Sequence, residues 1–448
     1  MKVLILVLVL ILTLQYQIAK ATNPVLYVRA SDGVDNPGCG TSISPCKSIT
    51  RAAANHDSST TTIKVAQGDY PSEQIVIQND LPDTGSGQFS IEGGWNADFT
   101  IQSHDPSLTR TTPTDNHAVI HIAPGTVHSV RLRVAYLTLQ GTTDLQRYGL
   151  YAYSDYGSLT ELGIEHCHIV SFRGNGISLG ADTSSAMTVT VHDTTIRGNY
   201  QPLTVPPTSP WTGGGVYVSS YGNSTVTVVM TNNMIVANQA STGGGIRFFT
   251  NGATLNATLE NNILAENQAE EQRGGAISAE AFGNGIMDLT LTNNTISNNL
   301  AALGAGGISF YSGNAAEITA RFKNTIVWGN TLADICIDTV SSVPPIVNTD
   351  YSLIGVAVNS GGTYTSTSHN LAGNPVLTAN YHLTGASPAK DTGLCGSIFH
   401  GGYIRAAPYD DIDGNVRPGD GILSGCDIGA DEYRFPWSLF NPVITGQQ

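Results

Sequence analysis

Little in this sequence carries charge. Asp, Glu, Lys and Arg together make up 12% of the 448 residues, and Lys plus Arg number only 20. A nucleic-acid binder needs clustered cations to neutralise phosphates, and no such cluster is present, so that class is excluded. The 35 acidic residues outweigh the basic ones and give a formal charge of −15. Such a surface suits solubility, cation binding and neutral partners. Long Lys/Glu-rich helical stretches are also missing. Beyond the first residues, no apolar run is long enough to cross a bilayer as a helix. No two of the six cysteines have Cys-x-x-Cys spacing, which argues against the common zinc and redox frameworks.

What is abundant is Gly, 49 residues, with many Thr, Ser and Asn. That balance favours β structure with frequent turns. The first residues, "MKVLILVLVLILTLQYQIAKA", place one Lys before an apolar run and end on a small-x-small pattern. They read as a secretory signal over 1–21, cut before Thr22. The expected location is therefore extracellular, secreted or at the cell surface, with no membrane span after signal cleavage. Export permits disulfides. Cys39 and Cys46 bracket a short loop, and Cys395 and Cys426 bracket a long Gly/Asp-rich one. Both pairs are expected to bond. Cys167 and Cys336 fall inside strand-like repeats, where a free Cys acts as a small apolar residue.

Three stretches repeat one phrase: "MTNNMIVANQASTGGGIRFF", "LENNILAENQAEEQRGGAIS" and "LTNNTISNNLAALGAGGISF". Aligned on the second Asn, the column runs Asn199, Asn238, Asn267, Asn299 and Asn330, in steps of 39, 29, 32 and 31. Six residues earlier stand Asp193, Asn232, Asn261, Asn293 and Asn324. The insertion "YQPLTVPPTSPW" accounts for the long first step. A period of 20–50 residues marks a solenoid, propeller or array. Alternation such as "TVTVVMTN" indicates strands, and roughly thirty residues fit one coil of three strands and three turns. The Asn column is expected to sit at a left-handed bend and to stack its amides as a ladder from coil to coil. The Gly runs mark the next tight bend.

These repeats resemble the right-handed parallel β-helix of the pectin-lyase-like superfamily. The stretch "YVRASDGVDNPGCGTSISPCKSITRAAANHDSSTTTIKVAQGDY" is similar to the usual beginning of that fold, in which a strand and a Gly-rich loop lead to a capping helix, here Ser48 to Asn55. "IEGGWNADF" resembles a phrase of bacterial secreted members. The C-terminal phrases at Ser387 to Gly393, Asp411 to Pro418 and Asp427 to Glu432 resemble the choice-of-anchor type Q domain of bacterial surface proteins. The expected fold is thus all-β, a right-handed parallel β-helix of about 30 residues per coil with a short N-terminal capping helix. Its expected parts are a cap and first coils over 22–100, the repeats over 101–345, and last coils with the choice-of-anchor-like region over 346–448.

Candidate chemistry is sparse. "GISLG" at 176–180 has the form of a nucleophile elbow, but the "TVTV" that follows is no helix, so Ser178 lacks the required turn. "DIDGN" at 411–415 begins like an EF-hand loop, yet Val416 and Ile422 stand where Gly and Glu are needed. Asp410, Asp411, Asp413 and Asp420 could still supply oxygen ligands to a looser Ca²⁺ site. Otherwise they cap turns while Arg417 pairs with Asp427 or Glu432. The resemblance implies, for a lyase, carboxylate-bound Ca²⁺ beside an Arg or Lys base. The densest set for that is Asp155, Glu161, Glu165, His166, His168, Arg173, Asp182, His192, Asp193 and Arg197. Within it, Asp155, Glu165, Arg173 and Arg197 are the expected catalytic members. Arg173 and Arg197 both precede Gly-Asn, which would place them on one edge in neighbouring coils.

Aromatic residues crowd "RYGLYAYSDYG" at 147–157, and Tyr200 and Trp211 flank the insertion. Exposed rings stack on sugars, and inserted loops of solenoids map to one face, often the binding face. Tyr153, Tyr200 and Trp211 are the expected ligand contacts. The expected function is a non-catalytic secreted or cell-surface protein that binds polysaccharide or another surface component, with no cofactor or at most Ca²⁺. The alternatives are a polysaccharide lyase or glycosidase, and a subunit that self-associates end to end through the apolar tail "FPWSLFNPVI".

Overall fold

A computed structural model describes residues 24–56, 60–77, 89–114, 117–124, 129–142, 148–201, 213–399, 402–418 and 425–434. The expected signal, Trp211, Asp420 and the tail from 435 lie outside the described residues.

Each coil lays down three strands. Leu150–Ser154, Leu159–Glu165 and His168–Val170 form one coil, and Ile177–Ala181, Ala186–His192 and Thr195–Arg197 the next. Stacking these generates three long parallel sheets. Sheet 1 has ten strands and contains Leu150–Ser154. Sheet 2 has twelve and contains Leu159–Glu165. Sheet 3 has ten and contains His168–Val170. The two-residue strands Gln239–Ala240, Gln268–Ala269 and Leu300–Ala301 add a narrow ribbon. The fold is an all-β parallel solenoid with one α-helix among the described residues.

Alternation along each strand sends every second side chain inward. One inward column of sheet 2 runs Leu162, Val189, Val228, Ala257, Leu289, Ala320 and Val347 in direct register. All seven are buried and belong to a single core that runs the length of the solenoid.

The helix Ile49–Asn55 closes the first coil by burying Ile49, Ala52 and Ala53. Ser48 caps its N-terminus, and the buried Glu73 carboxylate accepts the backbone N–H of Ile49 and Thr50 at 2.9 and 2.7 Å. Orphan donors of the first turn are thereby satisfied.

The bend from sheet 2 to sheet 3 explains the paired Asn. Tyr136, His166, Asp193, Asn232, Asn261, Asn293, Asn324 and Tyr351 all have positive φ, between 45° and 58°. The residue after each points inward. There Thr194 N–H donates to Asn233, Asn233 to Asn262, and Asn262 to Asn294, all at 3.0 Å. Thr325 and Ser352 continue the same column with their hydroxyls. This ladder was not anticipated from the repeat.

The expected ladder lies at the following bend. Asn199, Asn238, Asn267, Asn299 and Asn330 each accept from the backbone of the previous coil at 2.9–3.1 Å, starting with Phe172. Their amides donate along the column at 2.9–3.0 Å. One expectation is corrected: these Asn are not the left-handed residues. That conformation belongs to the residue before each, namely Gly198, Ala237, Glu266, Asn298 and Gly329. The ladder Asn must point inward, which leaves the preceding residue to reverse the chain.

At the third bend a Cβ on Gly244 would lie 2.4–2.5 Å from the backbone of Gln268, while Gly243 has φ +62°. Space requires the first and backbone conformation the second.

Parts of the C-terminal segment pack on the outside of sheet 3. Leu377, Tyr381, Ile412 and Ala430 pack on Val236, Ile263 and Ala265. Leu383, Ala389 and Ile428 pack on Ile326 and Leu353. Both disulfides form: Cys39–Cys46 and Cys395–Cys426, with Cα separations of 4.9 and 5.0 Å. Cys167 is free and fully buried, and Cys336 is free and half-buried. No helix among the described residues is long and apolar enough to cross a membrane.

Candidate functional site

The left-handed column does more than bend the chain. Its side chains face out, and where the C-terminal segment covers sheet 3 they bind it. Asn261 Nδ2 donates to the Asp410 carbonyl. Asn293 Nδ2 donates to the carbonyls of Asp427 and Gly429, and Asn324 Nδ2 to that of Leu394. Arg417 is 1% exposed and completes the joint. It pairs with Glu432 at 2.9 Å and donates to Asn261 Oδ1 and to the carbonyls of Gly429 and Ala430. Of its two expected partners, Glu432 takes the guanidinium. Asp427 instead receives the backbone N–H of Asp391 and Tyr433.

Where this cover ends, a cleft of about 470 Å³ opens. Its solenoid wall holds His166, His192, Asp193 and Asn232, and its C-terminal wall holds His382, Asp410, Ile412 and Asp413. His166 Nδ1 and His192 Nε2 both face Asp193 Oδ2, at 3.4 and 3.2 Å. On the other wall His382 Nε2 faces Asp413 Oδ2 at 3.1 Å, with Asp431 beside them. Burial opposes ionisation of Asp193, but His192 and His166 outweigh it and hold the carboxyl below its usual range. The bond to Asp193 raises His192, while burial lowers His166. The His166 ring stacks on Tyr136 at 5.0 Å, and Tyr136 on His104 at 4.7 Å.

A second candidate surface is the outer face of sheet 1. In the outward columns Tyr151, Ser178, Tyr217 and Arg247 align, as do Tyr153, Gly180, Ser219, Phe249, Glu280 and Tyr311. Tyr221, Phe249, Phe282 and Tyr311 form a chain of rings 5.5–5.7 Å apart. Arg247 lies near Tyr217 and Phe249, and Arg273 lies 4.3 Å over Tyr311. Arg247 is locked to Glu280 at 2.7 Å. Phe249 is buried, whereas Tyr221, Phe282 and Tyr311 remain half-buried. Tyr153 donates to Asp182 at 3.4 Å, and burial followed by that carboxylate pushes its hydroxyl up to about 12. Gly180 leaves room for the Tyr153 ring, because a Cβ there would sit 2.6 Å from it.

The expected catalytic residues are not brought together. Asp155 accepts from Tyr156 N–H in the turn after Leu150–Ser154. Glu165, at the end of its sheet 2 strand, is held by Arg133 Nε at 2.8 Å, and Arg133 Nη1 reaches Glu92 at the same distance. Arg197 pairs in register with Val170. Asn199 aligns with Phe172, not with Asn175, so Arg173 falls in the row of Tyr200. The two arginines therefore do not share an edge column, and both are exposed. Glu161 pairs with Arg131 at 3.0 Å. Ser178 is 7% exposed within the strand Ile177–Ala181, with no turn to present its hydroxyl.

Asp420 lies outside the described residues, and the other three expected Ca²⁺ ligands point to different partners. Asp411 is buried, and its carboxylate accepts the backbone N–H of Asp413, Asn415 and Glu432 plus the Asn415 amide. Those four bonds fill its acceptor sites. Asp413 turns toward His382, and Asp410 lines the cleft wall. Tyr200 is 37% exposed and bridges to Gln239. Sequence reasoning missed the pairing of the two His–Asp sets, because 189 residues separate His382 from Asp193.

Residues 118–350, just over half of the chain, match the right handed beta helix region family. The chain belongs to that family. Among solved structures it is similar to pectate lyase Pel9A, with a TM-score of 0.48 and 11% identity over 93% of this chain and 98% of the other. It is also similar to XylC in complex with xylose, with a TM-score of 0.34 and 9% identity over 91% and 98%. No curated protein matches the chain.

Proposed function

We propose that this family member is an exported, non-catalytic protein that binds polysaccharide along the outer face of sheet 1. The observation that carries the reading is the ring chain Tyr221–Phe249–Phe282–Tyr311. Its repeat follows the stacking of coils, so rings recur along one face, with Tyr221, Phe282 and Tyr311 half-buried and Phe249 buried. Amphipathic ring faces beside fixed charges suit sugar stacking with hydroxyl recognition. The cations there are engaged: Arg247 with Glu280, and Arg273 with Asp338 at 3.4 Å. Two disulfides support export. A choice-of-anchor role for the C-terminal segment is part of the same proposal, resting on its phrases at 387–393, 411–418 and 427–432.

The test is affinity electrophoresis of residues 22–448 through gels holding acidic or neutral polysaccharides. Retardation by at least one polysaccharide, weakened about tenfold in Tyr311→Ala and in Phe282→Ala, is the expected result. Equal retardation of wild type and both variants would move binding off this face.

An enzyme remains the second reading, and the His–Asp cleft is the observation that favours it. Perturbed titratable groups in a concave site are the usual mark of acid–base chemistry. If that reading holds, activity falls with His192→Gln and is untouched by Tyr311→Ala.

A further inference from the structure

We infer that His166, His192 and Asp193 form a binding site for a divalent transition-metal ion of the Zn²⁺ class. The inference is independent of the polysaccharide reading, since the cleft and the outer face of sheet 1 share no residue.

Geometry carries it. Two imidazole nitrogens from neighbouring coils converge on one carboxylate oxygen, at 3.4 and 3.2 Å. All three ligand atoms lie within 4.8 Å of one another. Zn–N and Zn–O bonds of about 2.0–2.2 Å in a tetrahedron put ligand atoms roughly 3.3–3.5 Å apart. An ordinary N–H···O bond is shorter, about 2.9–3.0 Å. The two nitrogen-to-carboxylate spacings match two edges of such a tetrahedron, and 3.4 Å is long for a direct hydrogen bond.

Supporting contacts fix the ligands, as bound metals require. His192 Nδ1 lies 2.7 Å from Thr231 Oγ1, which leaves Nε2 for the cleft. The His166 ring plane is set by its stack on Tyr136, with 9° between planes. Asp193 is held in the left-handed bend at φ 45°. Two neutral imidazoles and a carboxylate suit Zn²⁺ and its neighbours over Ca²⁺ or Mg²⁺, which prefer oxygen. Three protein ligands leave a fourth position, and the cleft lies there, with His382 and Asp413 on its opposite wall.

The solenoid supplies conservative variants. The left-handed column carries Asn at 232, and the strand-end column carries Thr at 231. His166→Asn, His192→Thr and Asp193→Asn therefore each install a residue the same column already tolerates. The experiment is calorimetric titration of untagged full chain with ZnCl₂ in 1 mM CaCl₂. We expect one equivalent bound by wild type, at least tenfold weaker binding in each of the three variants, and unchanged binding in His382→Gln. Apo melting curves should agree among all five proteins, and Zn²⁺ should raise the midpoint of wild type and His382→Gln alone. Absence of a bound equivalent would overturn the site. Loss of binding in His382→Gln with retention in His192→Thr would also overturn it, by moving the ion to the other wall.

Discussion

A single residue in left-handed conformation turns eight strands of sheet 2 toward sheet 3, and from Thr194 onward the residue after it joins the coils by hydrogen bonds. Asn267 shows the second role at the next bend. It accepts from Asn238 N–H at 3.1 Å and donates to the Ile235 carbonyl at 2.8 Å, fully buried. Replacing it with Ala strands those groups, so Asn267→Ala should cost about 1–3 kcal/mol in denaturant unfolding. Asn262→Ala should cost the same, since its ladder is equivalent. An unchanged midpoint for either would show that water replaces the amide. The first role gives the opposite sign. Ala237 has φ 54°, a conformation costly for a residue with a Cβ and no local side-chain bond. Ala237→Asn, the residue found at 298 in that column, should stabilise by about 0.5–1 kcal/mol. The repeat made the Asn columns legible. It could not say which Asn of a pair bends and which points inward, because a one-residue offset leaves the period unchanged.

The C-terminal segment is an element that the solenoid's outward Asn residues recognise. Its joint depends on Arg417, whose side chain is fully buried against Glu432. Removing one partner of a buried pair leaves an uncompensated charge, so Arg417→Met should loosen the segment by about 3–5 kcal/mol. Limited proteolysis should then cut within 377–434 while the solenoid core stays intact. Cleavage no faster than in wild type would contradict this. The joint should also respond to pH. Burial, and then the neighbouring Glu432 carboxylate, push Asp427 up to about 7, well above the usual carboxylate range. The folded chain therefore keeps a proton that the unfolded chain gives up. Stability from this group is fully present below about pH 4 and is lost as pH rises through 7. The fall in melting midpoint from pH 5 to pH 8 should shrink in Asp427→Asn, and an equal fall in both proteins would refute the assignment. The sequence phrases announced that these residues belong together. They could not reveal that the docking surface is sheet 3, since the partners Asn261 and Arg417 are 156 residues apart.

At the scale of the molecule, stacking converts a loose repeat of 29 to 39 residues into straight columns. Strand alternation and turn chemistry were enough to read the solenoid, the family resemblance implied its cap, and export with the bracketed loops pointed to its disulfides. The candidate sites were less legible. Arg173 and Arg197 looked equivalent because both precede Gly-Asn, yet the coil containing Asn175 is shorter at that bend and Phe172 takes the ladder position. The ring chain of sheet 1 was hidden for the same reason: Tyr221, Phe249, Phe282 and Tyr311 become neighbours only once register is known. The proposed role of this face is to bind polysaccharide and leave it whole. The most direct measurement is to incubate residues 22–448 with a panel of acidic and neutral polysaccharides, with and without Ca²⁺ and Zn²⁺. Chain length is then followed by size-exclusion chromatography, and unsaturated uronides by ultraviolet absorbance. The expected result is retention of at least one polymer with no change in its length and no rise in absorbance. Depolymerisation of any of them would contradict it.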